Sequence, residues 1–180
     1  MKNTLLAFTM VLAFGIGSDA RADGPGPLGF GSFDGHIVFC APPSDPISFE
    51  ILPDGTQIIE FINIGNLWVT GNPLVDGVEE NHVLATFEPG PPPPAPATGT
   101  LDINATVDVA AVQGGWRVRQ FIHVTPEGDT GWGLGVGTGD LSGKLIVFTS
   151  TTPEEIANSP CAVPFGAPIT GRVITFRWDL

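Results

Sequence analysis

The chain has 180 residues, 19 acidic against 7 basic side chains, a net charge of −12, 24 glycines, 18 prolines and two cysteines. An acidic balance of this size repels nucleic acid and anionic membranes, which excludes a phosphate-backbone binder and leaves cationic groups or neutral small molecules as partners. Glycine and proline are spread between apolar alternating runs, the pattern of short strands and turns rather than of helices.

Residues 1–22 read as a secretory signal peptide: Lys2 supplies the positive start, Leu5 to Ile16 the apolar run, and Ala20-Arg21-Ala22 a small-x-small cleavage site. The apolar run ends at Ser18-Asp19, short of the ~18–20 residues that a membrane span needs, so the chain is not expected to be transmembrane. Cleavage after Ala22 predicts a secreted or periplasmic protein of 158 residues, with 5 basic and 18 acidic side chains. That length suits one domain, 23–180, with an adequate core. From Asp23 to Gly115 there is no Lys or Arg; Arg117, Arg119, Lys144, Arg172 and Arg177 are expected to partner the acidic first part. In an exported chain Cys40 and Cys161 read as a disulfide tying an early strand to a late loop.

After a Gly/Pro-rich leader, Ser32 to Phe39 is predicted as the first strand. Ile47 to Leu52 and Gln57 to Ile64 flank Pro53-Asp54-Gly55-Thr56, a hairpin turn. Leu67 to Thr70 reads as a short separate strand, Gly71 to Asn81 as a polar turn region, and His82 to Phe87 as a strand. Pro89 to Pro96 marks an exposed polyproline-like loop near 89–97. Gly99 to Val109 alternates cleanly: Leu101, Ile103, Ala105, Val107 and Val109 against Asp102, Asn104, Thr106 and Asp108. Trp116 to Val124 and the run from Gly131 form a hairpin around Thr125-Pro-Glu-Gly-Asp-Thr130. Lys144 to Ser150 follows, Pro153-Glu-Glu suits a first helical turn, and Thr170 to Trp178 closes the chain. Eight to ten strands with almost no helix predict an all-β fold: a single antiparallel β-barrel of about eight strands, with a β-sandwich as the alternative.

The most informative stretch is Gly131-Trp-Gly-Leu-Gly-Val-Gly-Thr-Gly139. Glycine at every second position leaves one strand face as bare backbone. Such a face suits a sharply curved barrel strand or a surface covered by large neighbours. A four-residue hairpin loop would set Ile122 opposite Gly133, Gln120 opposite Gly135, Val118 opposite Gly137 and Trp116 opposite Gly139. The glycine face is then shared with Trp116, Val118, Gln120 and Ile122. The other face carries Arg117, Arg119 and His123, with Asp140 diagonal to Arg117. A one-residue slip would exchange the faces.

Between two strands, Gly137-Thr-Gly-Asp-Leu-Ser-Gly143 resembles the strand–turn–strand signature of allene-oxide-cyclase-like and dirigent-like barrels. The resemblance covers these seven residues. It implies an eight-stranded, calycin-like barrel with a central apolar cavity, in a family where some members are cyclases or guide radical coupling. The chain has no tyrosine, which dirigent-type sites commonly use, and no carboxylate matches a cyclase position, so no catalytic residue is carried over.

The residues themselves carry no Gly-x-Ser-x-Gly elbow, no His-Glu-x-x-His and no phosphate loop. His36, His82 and His123 lack metal-ligand spacing, and no metal or cofactor is expected. Acidic turns at Asp76–Glu80 and Glu127–Asp129 lack the ligand spacing of an EF loop. The candidate ligand-binding residues are therefore Trp116, Val118, Gln120 and Ile122 inside, with Arg117, Arg119, His123 and Asp140 as a charged set. The charged set is either an Arg–carboxylate surface network or an Arg fork at a barrel mouth that orients an anionic or carbonyl ligand; Gln120 is either a lone polar contact in an apolar pocket or an amide satisfied by a neighbour. Two functions follow. One is a barrel that binds a small apolar molecule, with a cyclase or isomerase as its catalytic form. The other is a packed interaction module. They part on whether large side chains fill the space that the glycines leave.

Overall fold

A computed structural model of the chain describes residues 31–40, 44–90, 98–161 and 164–175. The predicted signal peptide, the polyproline segment 91–97 and Arg177 lie outside these residues. The strands are β1 (Gly31–Val38), β2 (Ser48–Ile51), β3 (Gln57–Val69), β4 (Gly77–Phe87), β5 (Gly99–Val109), β6 (Gly115–Val124), β7 (Thr130–Gly137), β8 (Lys144–Thr151), β9 (Glu154–Glu155) and β10 (Phe165–Thr175). They pair antiparallel in the order β1-β10-β8-β7-β6-β5-β4-β3, and β1 also pairs with β3, closing an eight-stranded barrel. The sandwich alternative is thereby removed. β2 extends the sheet beside β3, outside the closed ring, and β9 pairs with β10.

The closing ladder is short: only His36–Val69, Ile37–Trp68 and Val38–Leu67 join β1 to β3. Cross-strand partners traced from Ile59 run through Ala85, Leu101, Ile122, Gly131, Ser150 and Ile169 to Gly35. Gly35 lies against Val69 and Thr70, so the row returns to β3 eleven residues beyond its start, one of them a bulge. That stagger goes with strands tilted by ~35–45° and an interior that side chains can fill or that holds one small ligand.

β5 follows its sequence pattern, with Ile103, Ala105, Val107 and Val109 buried and Thr100, Asn104, Thr106 and Asp108 exposed. Four expectations are corrected. The two strands read in 57–70 are one, because Gly65 takes a left-handed φ of 88° and absorbs the extra residue as a bulge between Ile64 and Asn66. β4 starts at Gly77, not His82: the polar residues Glu79 and Asn81 occupy inward positions, which defeats an apolar-alternation reading. β10 begins at Phe165. Residues 151–158 contain the two-residue β9 rather than a helical turn.

One end of the barrel is plugged. The β3–β4 loop inserts the fully buried Val75, and Trp116 Nε1 donates to Leu74 O at 2.8 Å. Asp76 Oδ1 holds this loop by accepting from Thr70 N and Thr70 Oγ1, both at 2.6 Å. Leu141, in a 3-10 turn between β7 and β8, seals the same end. At the other end Phe39, Phe61, Leu101 and Ile122 are only partly buried. The Cys40–Cys161 disulfide sits there, its Cα atoms 4.9 Å apart, and closes 121 residues of sequence. The chain-entropy argument gives such a loop at most ~4–5 kcal/mol.

Candidate functional site

The hairpin that dominated the sequence pairs Trp116 with Gly137, Val118 with Gly135, Gln120 with Gly133 and Ile122 with Gly131. This register differs by two residues from the expected one, because the connection from His123 to Thr130 is longer than a four-residue loop. A shift of two preserves the faces. Trp116, Val118 and Gln120 are buried inside the barrel, and Ile122 lies at its partly open end. Arg117, Arg119 and His123 are exposed on the outer wall.

The bare glycine face is covered. A Cβ on Gly133 would fall on the ring of Phe148, and one on Gly135 would lie 2.6 Å from Ile146 Cγ2 and 2.9 Å from Val118 Cγ2. Gly131 faces Ser150 Oγ, and Gly137 faces the carbonyl of Leu141. Phe148 packs edge-on against Trp68 in the barrel centre, centroids 4.9 Å apart. The glycines therefore make room for side chains of β8 rather than for a guest, and Trp116 and Val118 belong to the packed half of the interior.

The other half is different. Phe49 pairs with Ile59 and Ile51 with Gln57, so Phe49 and Ile51 share the inward face of β2, and Ile47, just before the strand, has the same parity. These three side chains are 56, 55 and 60% exposed. They form an apolar lip that continues inward through Ile59, Phe61, Leu101 and Ile122. Just inside, Gln120 Nε2 donates to Ser150 Oγ at 2.9 Å, both residues being buried. The lone amide is thus satisfied by a neighbour.

Deeper lies a polar cluster missing from the sequence-based candidates. Glu79 is 2% exposed and faces inward between Asn66 and Val107, with Asn81 two residues on and Asn63 opposite Asn81. Burial pushes the Glu79 carboxyl above its ordinary range; Asn81, Trp68 and Asn66 are close enough to oppose that shift in part. Glu79 Oε2, Asn81 Oδ1, Asn63 Oδ1 and Trp68 Nε1 are buried with no well-formed partner among the described residues. Three of these four atoms are acceptors and one, Trp68 Nε1, is a donor, so a protonated Glu79 adds a further donor to an acceptor-rich cluster. The raised pKa favours the protonated form, and a carboxylic acid in that form donates a hydrogen bond to an oxygen or acts as a general acid. The signal in the sequence was two polar residues at inward parity beside the glycine that starts β4.

Outside, the charged candidates separate. Arg119 grips Asp102 through Nε at 3.2 Å and Nη2 at 2.7 Å, with its guanidinium 4.8 Å from the Phe121 centroid. Asp140 does not meet Arg117; it accepts from Gln113 N at 2.9 Å and caps the end of the barrel. Arg117 instead borders an open groove of about 380 Å³ on the outer wall, with Ile62, Glu80, His82, Asn104 and Thr106. His82 and Ser48 both contact Glu60, at 2.7 and 2.9 Å, and the Ser48 bond foremost holds that carboxyl below its usual range. The charged candidates therefore stand apart on the outer wall, with Arg119 paired to Asp102 and Asp140 at the barrel end. Asp76, Glu79 and Glu80 point to a loop bond, the interior and the outer wall respectively, so they do not form one cation site.

The chain matches no family model, no curated protein and no solved structure.

Proposed function

We propose that this is an exported, disulfide-tied barrel that receives a small apolar molecule at its open end. The observation that carries the reading is the lip: three large apolar side chains, Phe49 and Ile51 of β2 and Ile47 just before it, each more than half exposed, facing the barrel mouth in line with half-buried Phe61, Leu101 and Ile122. Water-exposed apolar surface of this kind, continuous with half-buried apolar side chains at the mouth and a few polar groups deeper in, marks a ligand groove. Phe148 and Ile146 occupy the glycine side, so the guest lies toward β3–β6 and the ligand contacts move from Trp116 and Val118 to Ile122 and the lip. The likeness of 137–143 to allene-oxide-cyclase-like barrels fits this reading, as does the predicted signal peptide.

Titration with an apolar fluorescent dye tests it. Phe49→Asp should weaken dye binding at least tenfold with stability almost unchanged, because the side chain is 55% exposed. Leu84→Asp, at 42% exposure on the outer wall, is the control and should leave binding intact. Equal binding by both variants and the parent would remove the mouth as the site.

Glu79 favours a second reading, a cyclase or isomerase in which the buried neutral carboxyl assists at a ligand oxygen. In that case Glu79→Gln abolishes turnover while dye binding at the mouth persists.

A further inference from the structure

The outer wall opposite the lip is itself apolar. β7 sends Trp132, Leu134 and Val136 outward, 56, 43 and 47% exposed, and Ile174 of β10 adds another at 41%. Half-buried Leu145 and Val147 of β8 lie between β7 and β10. Monomeric proteins rarely leave so continuous an apolar face in water. Its flanks carry arginines: Arg117 and the Asp102-paired Arg119 on β6, and Arg172 on β10. The basic side chains among the described residues are these three and Lys144, in a chain of net charge −12. Neither Arg117 nor Arg172 has an ion-pair partner among the described residues. The β3–β4 wall has the converse make-up, with Glu60 and Glu80 around Ile64, Val78 and Leu84, the last three 64, 49 and 42% exposed.

We propose that a second copy of this chain docks its β3–β4 wall onto the β7–β8 wall, so that copies associate head to tail. Two β7–β8 walls facing one another would set arginines against arginines, whereas the acidic wall meets them with opposite charge around a matching apolar centre. A tilted Trp132–Phe121 ring pair, centroids 4.9 Å apart and planes at 34°, beside Arg119 supplies the residue types that dominate association energies. Such a contact closes into a ring or continues as a filament.

Sedimentation of the purified exported protein at low and high salt is the test. The parent should be oligomeric. Arg117→Glu/Arg172→Glu, and separately Glu80→Arg, should each sediment as monomer while melting like the parent. Mixing these two variants should restore assembly, because each reversed wall then meets its complement. Should a charge variant fail to melt like the parent, Leu134→Glu, a single exposed position, gives the same reading and should also be monomeric. A monomeric parent overturns the proposal, and so does a parent that sediments only with anionic phosphatidylglycerol vesicles. If Glu80→Arg assembles by itself as the parent does, the contact is not between these two walls and the proposal falls.

Discussion

Gly133→Ala adds one methyl group, and the structure gives it nowhere to go. The new Cβ lands on the Phe148 ring, which is 4% exposed and braced edge-on, at 78°, by Trp68. The ring cannot swing aside without displacing the indole, so the methyl overpacks the centre at ~1–3 kcal/mol. For a domain of this size each kcal/mol lowers Tm by ~2–4 °C. Phe148→Ala alone should cost ~3–5 kcal/mol. The double variant decides the matter. Once the ring is gone, the added methyl occupies vacated space, and the combined loss should fall short of the sum by ~1 kcal/mol or more, as expected for residues in contact. Urea unfolding followed by tryptophan fluorescence, disulfide intact, measures all three. Additive losses, or a Gly133→Ala variant as stable as the parent, would mean that Phe148 does not cover the glycine wall. A guest-sized space would then lie there.

Glu79→Gln should stabilise the protein at neutral pH. The folded-state pKa of Glu79 lies above its unfolded value, so the parent loses stability as pH rises from the unfolded pKa through the folded one. The gain should therefore shrink toward pH ~4, near the carboxyl's ordinary pKa, and urea midpoints at both ends of the window measure it. A loss at neutral pH, with no ligand present, would show that Glu79 is ionised and well partnered. Cys40→Ser/Cys161→Ser should lower stability by up to ~4–5 kcal/mol, read from the same midpoints, with dye binding at the mouth weakened as well. An unchanged midpoint would show that the ends at Phe39 and Phe165 are held by their backbone bond at 3.0 Å instead.

What the chain declared openly was parity. β5 is legible residue by residue because its apolar and polar positions alternate without exception. The glycine face of β7 and its partners Trp116, Val118, Gln120 and Ile122 were assigned to one another for the same reason. Parity says nothing about loop length, so the register of β6 on β7 came out two residues off. It also fails where an inward position is polar: Glu79 and Asn81 hid both the start of β4 and the interior cluster. The use made of the glycines was illegible because their occupants, Phe148 and Ile146, stand on β8, a strand whose pairing no local pattern announces. Likewise nothing in Ile47-Ser-Phe-Glu-Ile51 states that its strand lies outside the closed ring, where its apolar face meets water instead of a core. The lopsided charge was legible, but its purpose was not: Arg119 found an internal carboxylate, Asp102, while Arg117 and Arg172 found no ion-pair partner among the described residues.

The three-pair ladder between β1 and β3 has a dynamic consequence. Neighbouring ladders such as β4–β5 and β5–β6 run ten pairs or more. Sub-global opening follows the fewest backbone bonds, so the ring unzips along one line, His36 to Val38 against Leu67 to Val69, while the rest of the sheet stays intact. Amide hydrogens there should exchange with solvent ahead of those in β5 and β6. The barrel then behaves as a sheet rolled up and fastened by a narrow clasp, and the disulfide, which ties the end of β1 to the loop before β10, keeps one side of that clasp together rather than bridging it.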